Sequence, residues 1–251
     1  MNTNNKLVPQ ILHLDETVST NAYIRSYDDN GELPECSVVW ADFQTAGRGQ
    51  MGNSWEGEKG QNLLFSMVIR PDFVEAKEQF LISQIASLSV KKTLEQHTSG
   101  ISVKWPNDIY WHDKKICGML IENDLSGTNI SRSIIGIGLN INQQRFVSDA
   151  PNPISLSQIT GERFEIDKVL ISFMTNFHTY YNRLIEGDWA DIREEYFKSL
   201  YRGEGLYPFE SEGIEFEARI SAIEPSGHIV LALKNGEKKK FAFKEVSFVI
   251  K

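Results

Sequence analysis

Residues 47–55 read GRGQMGNSW, and what surrounds them decides the fold. Gly47, Gly49 and Gly52 have the G-x-G-x-x-G spacing of a dinucleotide-binding turn. Such a turn must open a helix, because the helix N-terminus is what holds the pyrophosphate. Here the chain continues SWEGEKGQN, with Gly57 and Gly60 where the helix would begin, and then NLLFSMVIRP, an apolar run closed by Pro71. Glycines so placed break a helix and mark a loop. Before the loop, CSVVWADFQ from Cys36 is rich in Val and aromatic residues and reads as a strand. The order is strand, long glycine loop, strand, which is not that of a Rossmann unit. The phosphate-loop pattern G-x-x-x-x-G-K-[ST] is absent as well.

Working outward, Ser19-Thr20-Asn21 reads as the N-cap of a short helix over 22–27. Downstream, Phe80, Leu81, Ile85, Leu88 and Leu94 give a helix over about 76–97 much of its apolar face, with Gly100 to end it. ISVKW reads as a short strand, Pro106-Asn107-Asp108 as a turn, and IYW–HDK–KICGMLIE as a hairpin. SRSIIGIGLNIN is a further strand whose Gly136 and Gly138 let another group approach the backbone. The polar loop 143–155 is longer than most connections and is a candidate functional loop. Helical patterns follow over 165–186 and 189–201. From Gly203 short β-rich runs alternate with Pro225-Ser226-Gly227 and Asn235-Gly236 turns. The expectation is an α+β protein: a mixed sheet packed with helices over 1–202 and a small β-barrel over 203–251.

Composition narrows the function. A formal charge of −8 does not favour nucleic acid, and no helix-turn-helix pattern precedes the first strand. Lys238-Lys239-Lys240 reads as a solvated face offset by Glu237 and Glu245. No apolar run approaches the ~20 residues of a membrane helix, and MNTNNKLVPQ does not read as a signal peptide. Cys36 and Cys117 show no zinc spacing and no disulfide framework, so reduced thiols and a cytoplasmic location are expected.

Four glycine-bearing or polar elements stand at strand ends: the loop after Gln44, KWPND at 104–108, KKICGMLIE from Lys114, and GIGLNIN at 136–142. With Ser19-Thr20-Asn21 before them, they resemble, in this order, the catalytic domain of biotin–protein ligases. The likeness continues into FKEVSFVI near the C-terminus. The related lipoate ligases usually lack this combination of glycine loop and KWPND. The resemblance implies a sheet-and-helix domain like that of class II aminoacyl-tRNA synthetases, with a small SH3-like barrel and no N-terminal DNA-binding domain. It also implies two steps: biotin and ATP, with Mg²⁺, form biotinyl-5′-adenylate, and a lysine of a biotin carboxyl carrier domain then accepts the biotin.

The family's roles carry over as follows. Lys115 and Arg48 are the expected catalytic cations, offsetting two anions that repel. Ser19, Thr20, Asn21 and Gln44 are placed near the ureido ring, and Gly47, Arg48, Gly49, Gln50, Lys115, Gly118, Gly136 and Gly138 around biotin, with Leu120 and Ile137 as wall. Arg48, Gln50, Trp55, Lys104, Asn107, Lys115 and Asn140 are expected at ATP or the adenylate, covered by the loop 143–155. Asp108 is either a Mg²⁺ ligand or a turn residue, Ser19 a ring contact or a plain N-cap. Trp55 is either core or, with Met51, an apolar cover. No general base stands out. The family's better-known loop reads GRGRxGRxW; here Gln50 and Asn53 replace two arginines, which predicts weaker retention of the adenylate. Two rivals remain: a lipoate or octanoate ligase of the same fold, and a binding module without transfer activity. A monomer and a homodimer are both compatible with the sequence.

Overall fold

The computed structural model describes residues 8–31, 33–147 and 152–250, and the side chain of Met51 lies outside the described residues. A seven-stranded mixed sheet carries the molecule. Its strands are β1 (Ile11–Leu14), β2 (Val38–Ala41), β3 (Leu63–Ile69), β4 (Ile101–Lys104), β5 (Asp108–Trp111), β6 (Lys114–Ser126) and β7 (Asn129–Leu139). The spatial order is β1-β2-β3-β7-β6-β5-β4. Only β1 and β2 run parallel; every other pair is antiparallel.

β3 shows why the sheet has two covered faces. All of its residues are buried, as expected of a central strand packed on both sides. Leu63, Phe65, Met67 and Ile69 join the large core with helices α2 (Phe80–Leu94) and α4 (Ile166–Ile185). Val68, on the opposite face, packs with Val39, Ile134 and Ile24 of helix α1 (Thr20–Tyr27). Side chains alternate along a strand. Gly118, Leu120 and Glu122 of β6, Gly136 and Gly138 of β7 and Ser66 of β3 therefore share the α1 face. Register places Leu120, Gly136 and Ser66 in one cross-strand row and Gly118 and Gly138 in the next. The missing side chains leave a hollow on that face.

α1 is held beside the hollow from its far end. The fully buried Asp28 takes Arg70 Nη2 at 2.6 Å and the Leu33 amide at 3.0 Å, and Arg132 bonds its carbonyl. Ser19 takes the N-cap place with an extended backbone but makes no capping bond with its side chain. α2 stops at Leu94 rather than near residue 97, and Gly100 is not its cap. Gly100 instead takes φ +82 in the turn before β4, where a Cβ would meet the His112 ring at 2.9 Å.

Two elements escaped the sequence reading: β1, and helix α3 (Leu156–Thr160) just after the expected loop 143–155. Helix α5 (Trp189–Lys198) leads into residues 199–201, which cover the edge of β4 through Val103 N–H to the Ser199 carbonyl and Tyr201 N–H to the Val103 carbonyl, both 2.8 Å. A second sheet follows: β8 (Tyr207–Ser211), β9 (Ile214–Ile223), β10 (Ile229–Leu233), β11 (Lys238–Phe241) and β12 (Ser247–Phe248). It is antiparallel, in the order β11-β10-β9-β8-β12. Lys238, Lys239 and Lys240 are exposed on β11 as expected, but Lys240 pairs with Glu224 at 2.6 Å rather than with Glu237 or Glu245. Cys36 and Cys117 are free and buried. No helix among the described residues is long and apolar enough to cross a membrane.

Candidate active site

The hollow opens into a cavity of about 960 Å³, bounded by the start of α1, the glycine loop, the KWPND turn, β6, β7 and the segment between β11 and β12. All the site residues read from sequence except Gly47 are on its lining; Gly47 lies just behind, hydrogen-bonded to Trp55.

The glycine loop closes on itself. The Trp55 amide donates to the Gly47 carbonyl at 2.9 Å, Arg48 bridges Ser54, and Gly49 N–H donates to the Asn53 carbonyl at 2.6 Å. Residues Gln50–Gly52 make one 3-10 turn, ended by Gly52 at φ +87, a conformation that favours glycine. Gly47 has no room for a side chain, since a Cβ would stand 2.8 Å from the Trp55 carbonyl. This closure drops Trp55 onto the sheet. A Cβ on Gly138 would stand 2.3 Å from the indole, and one on Gly118 2.8 Å from it. These two glycines thus make room for Trp55. Gly136 does the same for Asn21, whose Oδ1 would lie 2.1 Å from a Cβ there. Trp55 is half-buried and its indole Nε1 is buried without a hydrogen-bond partner among the described residues.

One end of the cavity is a hydrogen-bonded relay. Gln44 Oε1 accepts from the Thr20 amide at 2.7 Å and lies 3.1 Å from Thr20 Oγ1. Ser66 Oγ is 2.7 Å from Thr20 Oγ1 and 2.5 Å from Asn21 Oδ1. Asn21 Nδ2 donates to Glu122 Oε2 at 2.8 Å and to the Leu120 carbonyl at 3.3 Å. Arg48, half exposed, reaches the same Glu122 oxygen at 3.5 Å. Ser66 and Glu122 belong to this network and were not read from the sequence. Their signals were a lone hydroxyl in an apolar strand and a lone acid at the end of KKICGMLIE.

The other end is cationic. Lys115 Nζ pairs with Asp108 Oδ1 at 2.7 Å and lies 5.6 Å from the Trp55 ring centroid. Lys104 Nζ faces the rings of Tyr110 and Phe248 at 5.1 and 5.2 Å. Burial holds the Lys104 ammonium below the usual lysine range, against the pull of Asp108. Burial also pushes the Tyr110 phenol up, and its hydroxyl has no hydrogen-bond partner among the described residues.

Asn107 and Asn140 line the cavity, each with one amide N–H already engaged. Asn107 Nδ2 donates to the Met119 carbonyl, and Asn140 Nδ2 to the Ile154 carbonyl at 3.2 Å. Each Nδ2 has a second N–H, so both amides keep a donor beside the oxygen. Ile137 is on the lining as expected, though most of its side chain belongs to the core with α2 and α4, while Leu120 is a partly exposed apolar side chain on the cavity face. Of the loop 143–155, residues 148–151 lie outside the described residues. Phe243, Val246 and Phe248 of the second sheet complete the wall. Among the described residues no three acidic, His or Cys side chains gather to hold a metal. Asp108 is the carboxylate at the cationic end.

Comparison with known proteins gives the same outline. A family model described as biotin/lipoate A/B protein ligase matches residues 14–140. The bifunctional ligase/repressor BirA of Bacillus spizizenii is 31% identical over 223 residues, 85% of this chain and 66% of that protein. Its Bacillus subtilis counterpart is 36% identical and is covered over 49% of its length, so the chain spans about half to two thirds of these relatives. A biotin–[acetyl-CoA-carboxylase] ligase of Paracoccus denitrificans is 27% identical, covering 77% of this chain and 82% of that one. The structure of an Aquifex aeolicus biotin protein ligase in complex with biotin and ATP superposes with a TM-score of 0.78 at 24% identity, over 96% of this chain and 98% of that one. The fold, sheet and appended sheet together, is the one these proteins share, and the chain belongs to the biotin/lipoate A/B protein ligase family.

Proposed function

We propose that the chain is an ATP-dependent biotin–protein ligase. The observation that carries this reading is the polarity of one cavity: a hydrogen-bonding ring pocket at one end, lysines at the other, and between them a glycine floor on which Trp55 rests. Biotin fits that polarity, with a polar bicyclic head, an apolar chain and a terminal carboxylate.

Biotin lies with its ring against Thr20, Asn21 and Gln44 and its chain against Leu120 and Trp55. Its carboxylate oxygen attacks the α-phosphorus of ATP, forming the acyl–phosphate bond as pyrophosphate leaves. Lys115 leaves Asp108 to bridge the two anions, and Arg48 leaves Glu122 for the phosphate; both exchange one anion for another, so little charge is newly desolvated. Lys104 adds fixed positive charge in a dry setting, where it acts strongly. Trp55 and the glycine loop keep water from the mixed anhydride. Asp108, released from Lys115, would hold a Mg²⁺ ion, and such an ion would offset the charge of the phosphates. An acceptor lysine then attacks the acyl carbon and AMP departs. The acceptor is a biotin carboxyl carrier domain, as the Paracoccus relative's name suggests for that protein. The units are 1–202, which carries the chemistry, and 203–251, which closes the cavity wall.

Labelled biotin, ATP and a carrier domain test the reading. Label is expected on the carrier lysine, with AMP and pyrophosphate formed in equal amounts. Transfer of lipoate alone would reassign the substrate, and tight adenylate binding without transfer would leave a binding module.

A further inference from the structure

In the relay at the ring end the protons of Asn21 and Ser66 have one consistent arrangement, and Glu122 sets it. A carboxylate oxygen and the Leu120 carbonyl can only accept, so both Asn21 Nδ2 protons are committed to them. Asn21 Oδ1 therefore faces Ser66, and Ser66, at 2.5 Å from an oxygen that cannot donate, gives its single proton there. The Thr20 amide fixes Gln44 with Oε1 inward. The Thr20 hydroxyl then has two acceptors, Ser66 Oγ and Gln44 Oε1, and its one proton goes to one or the other. Toward the cavity, Thr20 Oγ1 and Asn21 Oδ1 are left with lone pairs, and Gln44 with the N–H groups of Nε2.

We infer that Glu122, acting through Asn21 and Ser66, is a positioning residue that fixes this acceptor–acceptor–donor pattern and thereby selects a cyclic urea as the ring of the substrate. A urea presents two N–H donors beside one carbonyl acceptor, the complement of that set. A dithiolane ring presents none of these and would leave buried oxygens unpaired, the most effective kind of rejection a site can build. The inference rests on the biotin reading above and deepens it. Ser66 and Glu122 are 56 positions apart by their numbers, and each reaches Asn21 rather than the ligand.

The test is a cycle between protein and ligand. Binding of biotin is compared with that of its cyclic-carbamate analogue, in which one ring N–H is replaced by oxygen, for the wild type, Glu122→Gln and Ser66→Ala. The wild type is expected to prefer biotin by about a hundredfold, because the analogue sets lone pair against lone pair. Glu122→Gln can donate as well as accept, which lets Asn21 turn over, and the preference should fall to about tenfold or less. Ser66→Ala removes the relay's middle proton and should lower the preference in the same sense. A merely structural defect would weaken both ligands alike and leave the ratio unchanged. An unchanged ratio in folded Glu122→Gln and Ser66→Ala, with biotin still bound by the wild type, overturns this inference alone. A wild type that binds neither ligand overturns the biotin reading with it.

Discussion

At the ring end of the cavity, Thr20, Asn21 and Ser66 commit their protons to one another, to Gln44 and to Glu122. At the cationic end, Lys115 rests on Asp108, and Lys104 faces the aromatic rings of Tyr110 and Phe248. The first end is complete before a ligand arrives; the second is held by contacts that an anion can replace. The difference teaches that, under the proposed function, recognition and chemistry use different kinds of polar group. A preformed network costs little reorganisation on binding and discriminates by leaving wrong ligands unpaired. Displaceable ion pairs keep cations from repelling one another until charge develops in the reaction.

The sharpest way to break this comparison is to strike one end and read the other. Lys115→Ala should lower the rate of adenylate formation by about 10²–10³-fold while biotin affinity changes by less than about threefold. Pyrophosphate release and a biotin titration read the two quantities, and equal losses in both would erase the division. Gly136→Ala is the converse probe. Its Cβ would collide with Asn21 Oδ1, and biotin affinity should fall by about tenfold or more at a cost in stability of about 1–3 kcal/mol. Titration and thermal melting check it.

Lys104→Met asks whether the cationic end is maintained against stability. The substitution should slow adenylation by about tenfold, yet leave the protein as stable as before or about 1 kcal/mol more so. The sign of its pH dependence follows from burial. The folded protein lowers this ammonium's pKa, so the unfolded chain binds the proton more tightly. The cost of the buried charge is fully present below the folded value and is relieved as pH rises toward the ordinary lysine range. The stability advantage of the variant should therefore shrink on going from neutral to alkaline pH in denaturant melts. The smallest effect concerns the cysteines, which belong to neither end. Burial, with Glu35 nearby, raises the Cys36 thiol to about 12, and burial raises Cys117 further. At pH 7–8 neither should react with a thiol reagent until the protein is unfolded.

Much of the fold was legible because short-range signals agreed. The largely apolar β3, the glycines where a helix should start and the Pro106-Asn107-Asp108 turn each mark local structure, and together they indicate strand–loop–strand order. β1 was missed because four residues at a sheet edge, half exposed, carry little pattern of their own. α3 did carry a signal: Ser155 and Gln158 form a capping box and Gly161, at φ +77, ends the helix. The site was legible as a set of residues but not as a circuit. Glu122 meets Asn21 across 101 positions, and Gly138 makes room for Trp55 rather than for a ligand directly. Such pairings arise only when the sheet brings the faces of β3, β6 and β7 under α1, so no local pattern announces them.

The second sheet bears on how the protein can be cut and joined. The Trp105 indole N–H, beside KWPND, donates to the Gly227 carbonyl at 2.8 Å, and Phe248 stands over Lys104 at 5.2 Å. A truncation after residue 202 would trim the wall of the cavity itself, along with the partner that steadies its most buried ammonium. An engineer wanting to graft this chain onto a targeting protein should leave β12 in place and build from the exposed β10–β11 turn at 234–237, because the β9–β10 turn carries Gly227.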